Sequence, residues 1–199
     1  MESSAKTRFE MTKTHHQETL AVAIKEKKID PLMIPISRFL AGTNHYFSTS
    51  TCSGRITLMD LNVNEHKKKG AFFRKWHRKV KLPEVWKGIE DDSNTGNIWF
   101  KQDAFVYVIG TDSWENAKKI FGACQKSGVK RFGIHHFEEG KILIEIFGTQ
   151  NMCVPVKLGR KILVEKKYVK ELVVIANRKW IENEKKRKEL EKNMRAMLK

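Results

Sequence analysis

TDSWENAKKIFGACQKSGVKRFGIHHFEEGKILIEIFG, residues Thr111–Gly148, holds the punctuation of one helix and one hairpin. Asp112 followed by Glu115 makes a capping-box pattern, and Gly128 supplies a left-handed stop. From Val129 onward the chain alternates in two apolar runs about Glu138, Glu139 and Gly140, as a hairpin requires. Immediately upstream, NIWFKQDAFVYVIG (Asn97–Gly110) is an aromatic and β-branched run that reads as one or two strands. Strand, helix and hairpin in that order predict an α+β fold on a central mixed, largely antiparallel sheet with flanking helices.

Working outward, Asp30 and Pro31 mark a helix start, since the carboxylate caps free amides and proline needs no donor in the first turn. That helix is expected to stop near Gly42. YFSTSTCSGRITLMD (Tyr46–Asp60) reads as strand, hydroxyl-rich loop and strand, with Ile56 and Leu58 spaced as on a half-buried strand. The last element is a long helix from about Lys166 to the C-terminus. At about 100° per residue, Leu172, Ala176, Trp180, Leu190, Met194 and Leu198 share an arc of roughly 80°, and Asn183 and Arg187 interrupt it. Polar groups on an inward stripe require partners. Residues 1–28 form a weakly structured or helical leader and 188–199 a charged helical tail. With no repeat or Pro/Gly-rich linker, the expectation is one domain over residues 1–199.

The 199 residues carry 39 Lys and Arg against 23 Asp and Glu, a net charge of +16. A field of that size draws polyanions, and nucleic acid is the default partner. No apolar run approaches the roughly 20 residues of a membrane span, and no secretory signal is expected, so the reading is a soluble protein without a membrane partner. Cys52, Cys124 and Cys153 suit neither a disulfide framework nor a metal site, which points to a reducing cytoplasm. No His, Cys or carboxylate spacing predicts a metal, and His135 and His136 alternate across a strand. Neither a dinucleotide glycine motif nor a P-loop occurs, so the fold is not Rossmann-like.

Two stretches bear chemistry. STSTCSGRI (Ser48–Ile56) sets five hydroxyls, a glycine turn and one guanidinium in nine residues, a composition that suits an anion cradle as well as a polar turn. Cys52 within it reads as a packed thiol. FFRKWHRKVK (Phe72–Lys81) interleaves rings with Arg74, Lys75, Arg78, Lys79 and Lys81, the pattern of an RNA contact surface or of an amphipathic element with core aromatics. His77 is its one side chain able to exchange protons near neutrality.

STSTCSGRI, together with KWHR (Lys75–Arg78), IWFK (Ile98–Lys101), KSGVKRFGI (Lys126–Ile134), VPV (Val154–Val156) and YVKELVVIANRKWIENEKKR (Tyr168–Arg187), resembles the archaeal type of the wybutosine-synthesising tRNA methyltransferase family, in the family's order. The resemblance implies an S-adenosylmethionine-dependent enzyme that methylates a ring nitrogen of the tricyclic guanosine derivative beside the anticodon of phenylalanine tRNA. It further implies that Ser48, Ser50, Thr51, Ser53, Gly54, Arg55, Asn177, Asn183 and Arg187 bind the cofactor, and that His77 accepts a proton. Arg74, Lys75, Trp76, Arg78, Lys79, Lys81 and Lys101 are the expected tRNA contacts. Val108, Phe132 and Phe147 stand where the family is expected to carry His, Ser and Arg. The competing class is a tRNA-binding protein of the same fold without catalysis.

Overall fold

The computed structural model describes residues 2–199, without the side chains of Glu2, Ser3 and Lys68. The fold is α+β, and its strands fall into two antiparallel sheets in place of the single central sheet that local patterning suggested. The chain divides into two units: Met1–Ser53, Phe105–Gly148 and Lys185–Lys199 make the first, and Gly54–Ala104 with Thr149–Glu184 the second.

In the first unit, β1 (Tyr46–Cys52), β5 (Val106–Thr111), β7 (Lys141–Phe147) and β6 (Arg131–Glu138) lie side by side in that order. The hairpin β6–β7 is as read from the sequence. α4 (Trp114–Lys126) ends at Gly128, φ 63°, in a Schellman arrangement: Val129 N donates to Cys124 O and Gly128 N to Gln125 O. Its start differs from the expected capping box. Ser113 is the cap, its hydroxyl accepting from Asn116 N, while Asp112 accepts from Asn116 Nδ2 at 2.7 Å and pairs with His45 at 2.5 Å. Burial pushes the Asp112 carboxyl up, but these hydrogen bonds outweigh it and hold the group below its usual range.

One face of this sheet presents Tyr107, Ile109, Ile142, Ile144 and Ile146 to α4. Met33, Ile36 and Leu40, from the turn Pro31–Met33 and α2 (Ile34–Gly42), join that core. So do Leu190, Met194 and Leu198 of α5 (Lys166–Met197) and its end, each fully buried, so residues 188–199 are anchored by packing. Cys124 sits here with its thiol pushed up to about 12 by burial, which makes it a packing residue. Phe47 points to the opposite face, where Phe9 and His16 of α1 (Glu2–Lys25) meet it at 5.7 and 4.9 Å between ring centroids.

The second unit holds the order β3 (Lys67–Trp76), β2 (Arg55–Leu61), β4 (Asn97–Asp103), β8 (Met152–Leu158), β9 (Lys161–Ile162). Ile56, Leu58, Ile98, Phe100 and Val156 face α3 (Leu82–Glu90) and the first half of α5, whose Val169, Leu172, Ala176 and Trp180 complete the core. α3 was not read from the sequence, although Pro83 in its first turn and Glu84, which accepts from Lys81 N at 2.6 Å, are start signals. The alternate residues Arg55, Thr57 and Met59 of β2 point to the other face, opposite Asp103, Lys101 and Trp99 of β4. Among the described residues, no helix is long and apolar enough to cross a membrane.

Candidate functional site

The hydroxyl-rich stretch is a strand almost throughout, not a loop. β1 pairs with β5 through a slip between Ser48 and Ser50, which places Thr49 in a bulge. Bulges re-aim side chains. Here Ser48, Ser50 and Thr51 line a cleft of about 230 Å³ together with His16, Lys28 and Asp30. Ser37 of α2 also lines it, its hydroxyl 3.4 Å from that of Thr51.

Asp30 organises the neighbourhood. One carboxylate oxygen accepts from Leu32 N at 3.1 Å and the other from Ser53 N at 2.8 Å, so one side chain fixes both a helix start and the end of the hydroxyl stretch. Arg187 reaches the same turn, with its guanidinium on Leu32 O, and also pairs with Glu191, which accepts from the Tyr107 hydroxyl at 2.6 Å. Burial, then Glu191, push the Tyr107 phenol well above its ordinary range, so it remains a donor. Arg187 therefore holds structure. Arg187→Met is expected to lower stability by about 2 kcal/mol, because it leaves the Glu191 carboxylate, only 15% exposed, without its cation. Urea denaturation should show part of the loss restored in the double variant Arg187→Met/Glu191→Gln; no restoration would refute the pairing.

The remaining cofactor candidates belong to the second unit. Gly54 sits at φ 97°, and a Cβ there would stand 2.8 Å from Asn183 Nδ2 and 2.8 Å from Asp103 O. Only glycine allows this turn. Asn183, 1% exposed, is thereby packed directly on the turn. His77 contacts the Gly54 carbonyl through Nδ1 at 2.9 Å. A carbonyl only accepts, so Nδ1 carries the proton, and in the neutral ring Nε2 is the basic nitrogen. Asn177 grips residue 80: its Oδ1 accepts from Val80 N and its Nδ2 donates to Val80 O, both at 2.8 Å.

The basic cluster is dealt onto different surfaces. Arg74 stacks on Phe73 at 4.1 Å and pairs with Asp91, and Trp76 packs against the core beside Ile56. Arg78 makes a bidentate pair with Glu84, both bonds at 2.9 Å. Lys79 and Lys81 are exposed, and Lys75 and Lys101 share the sheet face away from α3 and α5. Of the three departures, Val108 is buried in the middle of its sheet, Phe132 packs on Phe121 at 5.3 Å, and the Phe147 ring has the Arg131 guanidinium 5.7 Å away.

Clustered hydroxyls on a bulged strand, a glycine turn held by a histidine and a net charge of +16 are compatible with a group-transfer protein for a polyanionic substrate. Residues 10–196 match the family model described as Methyltransferase TYW3, and the chain belongs to that family. It is 30% identical over 189 residues, 95% of this chain and 96% of the other, to the tRNA(Phe) 7-((3-amino-3-carboxypropyl)-4-demethylwyosine(37)-N(4))-methyltransferase 1 of Pyrococcus furiosus. Against the tRNA wybutosine-synthesizing protein 3 homolog of Danio rerio it is 29% identical over 163 residues, 80% of this chain and 64% of the other. A solved structure of a Pyrococcus horikoshii protein superposes with a TM-score of 0.87 over 96% of each chain at 29% identity.

Proposed function

We propose that this protein methylates a ring nitrogen of the tricyclic wybutosine precursor next to the anticodon of phenylalanine tRNA, using S-adenosylmethionine, in the cytoplasm. The family match over residues 10–196 carries the reading, since it spans both units and the relatives in question are named for that reaction. The charge of +16 supports it, because the substrate is a polyanion.

The donor set fits the cofactor's polar part. Ser48, Ser50 and Thr51 offer hydroxyls that donate or accept, and Lys28, whose ammonium pairs with Glu26 at 2.6 Å, stands at the same cleft. At about 230 Å³ the cleft suits an amino-acid or nucleoside portion, below the roughly 300–1,000 Å³ of pockets for whole drug-sized ligands. When bound, S-adenosylmethionine supplies the electrophilic methyl group. This chain orients the reactants and, through His77 Nε2, removes the proton from the ring nitrogen. Of the other residues carried over from the family, Ser53 and Arg187 hold the turn at Asp30–Leu32 in the first unit, and Gly54 and Asn183 form the turn that His77 contacts in the second.

The test is mass spectrometry of nucleosides from unmethylated phenylalanine tRNA incubated with the protein and isotopically labelled S-adenosylmethionine. A single labelled methyl on the tricyclic base is expected. Absence of label, in an assay where the Pyrococcus furiosus relative transfers it, would overturn the proposal.

A further inference from the structure

Arg55 lies on a sheet face of the second unit, which it shares with Thr57 and Met59 of β2. Its Nε bonds the Asp103 carboxylate at 3.2 Å and its guanidinium lies over the Phe72 ring at 4.0 Å. Two side chains thus fix the guanidinium plane. Its two terminal nitrogens have no hydrogen-bond partner among the described residues, so a planar pair of donors remains for a ligand. Asp103 also holds Lys101, at 3.4 Å, beside the guanidinium.

The strand register supplies the rest. Thr57, next along the same face of β2, lies directly between Lys75 of β3 and Lys101 of β4. It is fully buried, yet its hydroxyl has no hydrogen-bond partner among the described residues. Buried hydroxyls without partners are uncommon and ask what completes them. Beyond Thr57 the same face continues as Phe72, Met59 and Trp99 in register, and the Trp99 indole nitrogen likewise has no partner among the described residues. Lys67 stands 5.8 Å from the Phe72 ring. Arg55 and Lys101 pair with one carboxylate, and Lys75 and Lys101 flank the unsatisfied hydroxyl in register, with rings alongside. α3 and α5 pack on the other face.

We propose that this sheet face seats a backbone phosphate of the tRNA, with the Arg55 fork, Lys75, Lys101 and the Thr57 hydroxyl as its ligands and Phe72 and Trp99 as the apolar surface beside it. The proposal rests on the tRNA methyltransferase reading and moves Arg55 from the cofactor to the nucleic acid. The chemistry favours RNA over an acidic protein: the guanidinium fork matches a phosphate's paired oxygens, and flat rings accept unstacked bases. Asp103 is the positioning residue that sets two cations side by side.

The experiment measures tRNA affinity of full-length variants between about 50 and 200 mM salt, alongside binding of S-adenosylmethionine by calorimetry. Lys75→Gln/Lys101→Gln is expected to weaken tRNA about tenfold or more and to reduce the log–log salt slope by about 2. Arg55→Lys, which keeps the charge and loses the fork, should weaken tRNA by about fivefold with little change in slope. Cofactor affinity should be unchanged in both. Thr57→Val should weaken tRNA while raising the melting temperature of the free protein, since it removes the unsatisfied group. The matched charge control is Lys118→Gln/Lys126→Gln on α4. Equal losses in that control, or unchanged tRNA affinity in the sheet variants, would overturn the phosphate seat and leave the methyltransferase reading standing. A parent protein that bound no tRNA would overturn both.

Discussion

Replacing His77 by alanine is expected to slow methyl transfer by about 10²–10⁴-fold, the usual contribution of a positioned general base. The hydrogen bond between Nδ1 and the Gly54 carbonyl fixes the tautomer in which Nε2 is basic. That same bond offers a structural alternative, in which the ring merely holds the turn. His77→Asn separates the two, because an asparagine amide can donate to the carbonyl and cannot take a proton at neutral pH. Single-turnover rates should fall as far in His77→Asn as in His77→Ala, with tRNA affinity retained. A rate for His77→Asn within about tenfold of the parent would assign the residue to positioning and remove the base from the mechanism.

The second large effect is on folding. Gly54→Ala is expected to lower stability by about 4 kcal/mol, combining the strain of a side chain at positive φ with the overpacking of a crowded turn. The observed φ is 97°, and the new methyl would lie 2.8 Å from both Asn183 Nδ2 and Asp103 O. For a chain of this length the melting temperature should fall by roughly 10 °C. Removing the Asn183 side chain as well relieves only one of these contacts, so Gly54→Ala/Asn183→Ala should remain well below the parent. A melting temperature for Gly54→Ala within about 2 °C of the parent would show that the turn relaxes at little cost and that glycine is not required.

Much of the architecture follows from short-range rules. The helix period places Leu172, Ala176, Trp180, Leu190, Met194 and Leu198 on one stripe, and all are buried, as are Asn183 and Arg187 between them. The start at Asp30, the stop at Gly128 and the hairpin around Gly140 depend on caps and left-handed glycine conformations that act over a few residues. The start of α4 is a near miss of the same kind, since Ser113 won the cap once Asp112 had His45 to bind.

Other features were decided at long range. Nothing between Tyr46 and Leu61 says that β1 pairs with β5 while β2 pairs with β4 as well as with its neighbour β3, because β5 and β4 lie far along the chain. That allocation turned a supposed loop of hydroxyls into a bulged strand lining a cleft. It also split a basic run that looks uniform in sequence: a strand sends alternate side chains to opposite faces, so Arg74 meets Asp91 while Lys75 joins Arg55 and Lys101. The sequence by itself determined the helix ends, the turn glycines, the apolar periods and the excess of positive charge, since each is a property of neighbouring residues. Only the tertiary structure decided which hydroxyl, amide or guanidinium lines a cleft or a sheet face and which holds the chain, because each place depends on a partner brought close by strand register.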